Sequence, residues 1–149
     1  MNKQRCFFIG HHDASVALSG LLKLETRNLI LNKNITEFVI GKYGSFDSIA
    51  SLAVASMKSE FPQIKIYRLV PYYNESQTVD LPDGFDGTIY PEGLENVPKR
   101  FAIVRANQYM IEHSAYLVCH VWNSFGNAAK LLEFAKKREA KGKIQIIRI

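Results

Sequence analysis

The sequence has few cysteines and no long apolar segment, and both features limit the classes of protein to which it can belong. Only Cys6 and Cys119 occur among the 149 residues. Each lies in a short apolar segment, where free cysteine usually behaves as a small buried hydrophobic residue, so we expect reduced thiols. No apolar run approaches the roughly 18 residues that a membrane span needs, and the opening segment is too short and too broken by histidines for a signal peptide. We therefore expect a cytoplasmic protein with no membrane association.

Motifs for metal and nucleotide binding are also missing. The adjacent His11 and His12 diverge along the chain, and no further His or Cys has the spacing of a metal ligand. The sequence contains neither a Walker loop nor the dinucleotide fingerprint G-x-G-x-x-G. We expect no metal and no required cofactor, and spacing alone identifies no catalytic residue.

What is present is the composition of a globular protein, with 47% hydrophobic and 22% charged residues. The length predicts one domain over residues 1–149. The formal charge is +5, and basic residues concentrate at the end of the chain, from Lys130 to Arg148. An anionic partner and a merely solvated helix face both remain open as explanations.

Short apolar segments alternate with segments of helical periodicity. The predicted strands are Arg5–Gly10, Thr36–Gly41, Lys65–Pro71, Ala115–Trp122 and Lys143–Ile149. The clearest helical spacings are Ile49, Leu52, Ala53 and Met57, and later Ala128, Leu131, Leu132 and Ala135. Nearly continuous apolar strands indicate burial on both faces. The pattern therefore predicts an α/β, Rossmann-like, doubly wound fold with a mainly parallel sheet of about five strands and helices on both faces.

Residues 74–98 interrupt this alternation with prolines and glycines. We interpret the stretch as a long loop excursion that carries a short segment, Thr88 to Tyr90. Loops of this length are usually functional covers or flexible insertions.

Three turns between a strand and a helix are candidates for ligand binding, because ligands of open α/β sheets bind beyond the carboxyl ends of the strands. The first turn contains Gly10 and His11. Its polar residues could contact a ligand, or Asp13 or Ser15 could simply cap the following helix.

The second turn carries the best local pattern for binding an anion. Gly41 and Gly44 allow close approach of the backbone, while Ser45 and the helix N-terminus supply donors. Asp47 is either a ligand contact or an ordinary N-cap.

The third turn combines Ser124, Gly126 and Asn127, whose small and amide side chains suit a phosphate at a helix N-terminus. The alternative is an ordinary N-cap at Ser124.

A predicted helix before the fourth strand places Arg105, Tyr109 and Glu112 on one side, with Asn107 nearby. The Arg105 guanidinium could clamp a phosphate or carboxylate. It could equally form a structural ion pair with Glu112 or Asp47.

These segments together resemble the SLOG superfamily, which includes the Smf/DprA proteins and the lonely-guy phosphoribohydrolases, and most closely its small bacterial and phage YpsA-like, DUF1273-type members. CFFIGHHDA is similar to that branch's C-x-x-x-G-H-R opening, and VIGKYGSFDSIASLAV to its G-G-x-x-G-x-D turn. PKRFAIVRANQYM and the segment around Gly126 are similar to its K-R-x-x-x-x-R-N-x-x-M motif and its phosphate turn. The resemblance covers nearly the whole chain.

The resemblance implies binding of a nucleotide or nucleotide-derived small molecule by a sensor, carrier or sequestering protein, with Asp47, Arg105 and Asn107 at polar site positions. Ile40, His12 and Asn127 depart from the family pattern, and Lys130 stands where the phosphoribohydrolases carry glutamate. One alternative is a phosphoribohydrolase-like or N-glycosidase-like enzyme that uses Asp47 or Asp13. A second alternative is DprA-like nucleic-acid binding, which we do not expect. We leave open whether the chain forms a homodimer.

Overall fold

A six-stranded sheet, parallel throughout, forms the centre of the molecule in a computed structural model that describes residues 2–74 and 80–149. The strands are β1 (Asn2–Gly10), β2 (Glu37–Ile40), β3 (Lys65–Leu69), β4 (Gly87–Ile89), β5 (Ser114–His120) and β6 (Gln145–Arg148). The five strands predicted from apolar segments are all present, and the α/β, Rossmann-like fold class is confirmed.

The strand order β4-β3-β2-β1-β5-β6 determines where a cavity can open. The chain builds β1 to β4 outward in one direction and then returns to add β5 on the other side of β1. Cys6 of β1 pairs with Phe38 of β2 on one side and with Tyr116 of β5 on the other. The order therefore reverses between β1 and β5, and such a switch point leaves a crevice beyond the carboxyl ends of the two strands.

Helices cover both faces of this sheet. They are α1 (Ser19–Lys33), α2 (Ser45–Ser56), α3 (Ala102–Glu112) and α4 (Gly126–Glu139), and the short 3-10 turns are Val16–Leu18, Met57–Ser59, Leu94–Asn96 and Lys99–Phe101. Helices α1 and α2 share one apolar core with Cys6 and Phe8, whereas α3 and α4 share the other with Phe7 and Ile9. Alternate residues of β1 thus enter opposite cores, as expected of a strand buried on both faces.

Two details differ from the sequence prediction. Strand β4 lies within the predicted loop excursion and pairs with β3 alone. A three-residue edge strand is too short to show periodicity, so the sequence indicates only the short segment Thr88 to Tyr90 at this place. Leu52 has the helical spacing of a core residue but is 70% exposed on the outer side of α2. Residues 75–79 of the excursion lie outside the described residues.

Both cysteines are buried and free, as predicted, at 0% and 1% relative exposure. Within residues 2–74 and 80–149, no helix has both the length and the apolar character to cross a bilayer.

Candidate functional site

A cavity of about 530 Å³ opens at the carboxyl edge of the sheet. Its wall includes residues from the ends of β1 and β3, the three turns singled out above, α3 and the first turns of α4. Seven predicted site residues line it: Gly10, His11, Gly41, Asp47, Asn107, Gly126 and Asn127. Four are not among its described lining residues: Gly44, Ser45, Arg105 and Ser124. The turns after β1, β2 and β5 therefore meet at one cavity.

Gly44 and Ser45 join the turn after β2 to the turn after β1. Gly44 has φ +96°, and a Cβ added there would lie 2.5 Å from the backbone of His12. The Ser45 hydroxyl donates to the carbonyl oxygens of His12 and Ala14 at 2.7 and 3.0 Å. These two residues hold the cavity wall together, and the Ser45 hydroxyl is engaged by the protein itself.

Asp47 projects from the first turn of α2 into the cavity wall. Its Oδ2 accepts the Tyr43 N–H at 3.0 Å, so the carboxyl reaches back from the third residue of α2 and closes the turn that precedes the helix. A Cβ at position 41 would lie 2.9 Å from the same oxygen, so Gly41 makes room for the carboxyl. The N-cap of α2 is Gly44, so the interpretation of Asp47 as an ordinary N-cap is wrong, and Asp47 lines the cavity from the third position of the helix.

Arg68 lies behind Asp47 and was not predicted as part of the site. Its Nη1 donates to the carbonyl oxygen of Gly41 and, at 3.1 Å, to the Ser51 hydroxyl. The guanidinium carbon lies 4.6 Å from the centre of the Phe85 ring. The available signal was a charged residue within the apolar strand KIYRL, which had to find buried partners.

The electrostatics of this pair make Asp47 a titratable group near neutral pH. Burial raises the pKa of Asp47 to about 7, although the hydrogen bond from Tyr43 and the charge of Arg68 act in the opposite direction. Burial lowers the pKa of Arg68, which the charge of Asp47 partly offsets. A carboxyl that exchanges its proton near pH 7 can both donate and accept a hydrogen bond in the cavity.

His11 connects the ends of β1 and β5. Its Nε2 accepts the Trp122 N–H at 3.1 Å, and its ring packs edge-on against the Trp122 ring with centroids 4.6 Å apart. His11 is only 7% exposed. It lines the cavity, but its main observable role is to position the turn after β5.

The N-terminus of α4 faces the cavity through Gly126 and Asn127. Its N-cap residue is Phe125, which makes no side-chain cap hydrogen bond, so the N-cap at Ser124 considered above is wrong. Asn123 Oδ1 instead accepts the Phe125 N–H at 2.9 Å and shapes the turn, while Ser124 is exposed. This helix end offers backbone N–H groups and the positive end of the helix dipole to an anion.

Arg105 is directed away from the cavity. Ile103, Ala106 and Asn107 form the cavity side of α3. Arg105 lies two positions from both Ile103 and Asn107, which places it on the opposite side of the helix. Arg105 instead pairs with Glu112 at 2.9 Å beside a second cavity of about 220 Å³. Of the two roles considered for Arg105, the ion pair with Glu112 is observed.

The apolar part of the wall was missed by sequence reasoning. Ile103 and Leu69 line the cavity, as do the aromatic residues Tyr43 and Phe125, which are 43% and 78% exposed. Phe125 is an exposed aromatic residue in a turn, and that was the one available signal. No lysine or arginine is found among the described lining residues, so the donors available to an anion are backbone N–H groups and uncharged side chains such as Asn123 and Asn127.

In the described ranges, no three His, Cys, Asp or Glu side chains are grouped so that they could hold a metal ion. The fold and the site define an α/β protein with a partly apolar cavity at its switch point. A comparison with protein-family models finds none that matches this chain, and a comparison with curated proteins also finds no match.

Proposed function

We propose that this protein binds a nucleotide or nucleotide-derived small molecule in the cavity at the carboxyl edge of its sheet. It acts as a sensor, carrier or sequestering protein. The observation that carries the proposal is the meeting of three strand-to-helix turns at one cavity beyond the switch point.

The dimensions of the cavity suit such a ligand. Its volume of about 530 Å³ falls within the roughly 300–1,000 Å³ typical of small-molecule sites. Strands β2 and β5 lie on either side of β1, which separates their ends by about 10 Å because neighbouring strands are about 4.8 Å apart. A ligand can therefore reach from Asp47 at one end to the N-terminus of α4 at the other.

The two ends differ in chemistry. A phosphate suits the α4 N-terminus, where Gly126 and Asn127 present backbone N–H groups. Hydroxyl or amino groups suit the Asp47 carboxyl, and planar rings suit the exposed faces of Tyr43 and Phe125. Nucleotides combine these three kinds of group. The likeness of the sequence motifs to YpsA-like SLOG proteins supports the same proposal.

Native mass spectrometry of the freshly purified protein, together with thermal melts against a panel of nucleotides, tests the proposal that the cavity binds a nucleotide-derived molecule. A ligand present at about 100 times its Kd stabilises the fold by about 2.7 kcal/mol, or roughly 5–10 °C for a chain of this size. Asn127→Trp fills the cavity mouth, and Lys130→Trp on the exposed side of α4 is its matched control. We expect Asn127→Trp alone to lose binding. An unliganded spectrum with no nucleotide shifting the melt, or equal binding by both variants, contradicts the proposal.

A second candidate function is cleavage of an N-glycosidic or phosphoribosyl bond. It is favoured by Asp47, whose pKa near 7 is matched to proton transfer at neutral pH. In N-glycosidic cleavage, Asp47 would protonate the departing base as the C–N bond breaks, water would add its oxygen to the sugar carbon, and the proton that this water releases would return to the Asp47 carboxylate. Against this candidate, Lys130 is exposed and occupies the position of the glutamate in the resembling hydrolases.

Chromatographic detection of free base after incubation with nucleoside monophosphates separates binding from turnover. We expect no release above background. Release that disappears in Asp47→Asn would instead establish the enzyme.

A further inference from the structure

Helix α1 has two apolar faces, and only one of them belongs to the core. Leu22 and Leu29 are fully buried against the sheet. On the outer side, Leu21, Leu24 and Leu31 are 49%, 61% and 59% exposed. We call the outer row of Leu21, Leu24, Asn28 and Leu31 the leucine seam.

The spacing of the leucine seam is that of a helix-pairing surface. Its members follow one another at intervals of three, four and three residues, which keeps them on one side of a helix with 3.6 residues per turn. This is the spacing of the a and d positions of a coiled coil, with Leu21 and Asn28 at a and Leu24 and Leu31 at d. The direction is nearly opposite to that of Leu22 and Leu29, so a second helix can approach without meeting the core.

We propose that the leucine seam is a homodimer interface at which α1 packs in parallel against α1 of a second copy of this chain. A single Asn among leucines favours this occupant, because an Asn at one a position pairs with its symmetry mate and specifies register and orientation. Asn28 Oδ1 accepts a hydrogen bond from Asn32 Nδ2 of the same helix at 2.6 Å, and parallel packing places the N–H groups of the Asn28 amide against the partner's Asn28. Antiparallel packing places it against the partner's Leu24 and leaves a polar group in an apolar contact.

The charges beside the leucine seam support the same arrangement. Arg27 and Glu25 flank it on opposite sides at the g and e positions. In a parallel pair Arg27 faces the partner's Asn32, and Glu25 faces the partner's Gly20, so no like charges meet. An antiparallel pair brings Arg27 towards the partner's Arg27. Arg27 already bonds to Glu60 at 2.5 Å, so its charge needs no partner across the interface.

The extent of the leucine seam sets the strength of the dimer. From Leu21 to Leu31 it spans about 15 Å at 1.5 Å per residue. A single helix contact of this length is smaller than the roughly 800 Å² per partner of a stable complex, so the dimer is weak and depends on concentration.

Sedimentation equilibrium over a wide concentration range tests the interface. We expect wild-type protein to dimerise at high concentration, and Leu24→Lys to raise the dimer Kd at least about tenfold because it places charge in the contact. The matched control, Leu52→Lys, removes a similarly exposed leucine from α2, which is not part of the leucine seam, and should keep the dimer. A wild-type monomer at every concentration, or equal loss in both variants, overturns the proposal.

Cysteine cross-linking tests the parallel orientation independently of affinity. The native thiols are buried, so one introduced cysteine is the sole exposed reporter. Leu21→Cys should form a disulfide-linked dimer on mild oxidation, because parallel packing places position 21 beside its symmetry mate. Lys23→Cys, exposed but off the leucine seam, should not. Failure of Leu21→Cys to link, or equal linking by Lys23→Cys, contradicts the parallel pair.

Discussion

Asp47→Asn replaces the carboxyl of the cavity wall with an amide of nearly the same shape and removes its titration. Burial raises the pKa of Asp47 from its ordinary value of 3.8 to about 7. Between pH 4 and pH 7 the folded protein therefore holds a proton that the unfolded chain has released. The free energy of unfolding contributed by this group falls as pH rises through that window, and it stays low above pH 7.

The size of the effect follows from the two pKa values. Their difference sets an upper limit of about 4 kcal/mol on the change in the free energy of unfolding. The actual change is smaller, because solvent reaches part of the carboxyl. We expect Asp47→Asn and wild type to be about equally stable near pH 4. Above pH 7 the variant should be more stable, because it avoids an ionised carboxylate in a desolvated position.

Urea unfolding from pH 4 to pH 9 measures this difference, and Asp86→Asn provides a control of opposite sign. Burial alone would raise the pKa of Asp86, but hydrogen bonds from Lys58 and from the Ile66 N–H, with the charges of Lys58 and Lys65, lower it overall. Asp86 thus contributes stability that is present above its unfolded pKa and is lost as pH falls. Asp86→Asn should therefore be less stable than wild type at high pH. Parallel pH profiles for wild type and Asp47→Asn would refute the reasoning about burial.

Three further predictions concern the turns, the second cavity and nucleic acid. Gly44→Ala should cost about 1–3 kcal/mol because φ +96° and ψ 172° lie in a region essentially restricted to glycine, and contact of the new Cβ with the His12 backbone should add to this cost. Gly20→Ala in α1, where a Cβ meets nothing within 4 Å, should stabilise the fold by up to about 1 kcal/mol, and thermal melts compare the two variants. Arg105→Ala and Arg105→Lys should lower stability by at most about 1 kcal/mol and leave nucleotide affinity unchanged in calorimetric titration, because the ion pair with Glu112 is partly exposed. Gel shifts should show at most weak DNA retention that salt abolishes, and salt-resistant binding would favour the DprA-like alternative.

The sheet could be predicted because its central strands are buried on both faces and therefore read as uninterrupted apolar segments. Phe7 and Phe8 show this most clearly, since adjacent residues enter opposite cores. Strand β4 could not be predicted, because three half-buried residues at a sheet edge carry no period.

The candidate site was predictable where it is local in the chain. Gly41 and Asp47 belong to one turn, and their close contact follows from that turn. Leu69 and Ile103 reach the cavity from β3 and α3, so their positions depend on strand order and on the rotation of a helix about its axis. Arg105 shows the limit of spacing, which correctly grouped it with Glu112 but did not reveal which side of α3 faces the cavity.

An amide NMR titration with nucleoside monophosphates tests the central claim most directly. The account predicts saturable shifts at the Gly41, Gly126 and Asn127 amides, which lie at the two ends of the cavity. Shifts confined to the neighbourhood of Arg105, or no saturable shifts at all, would contradict it.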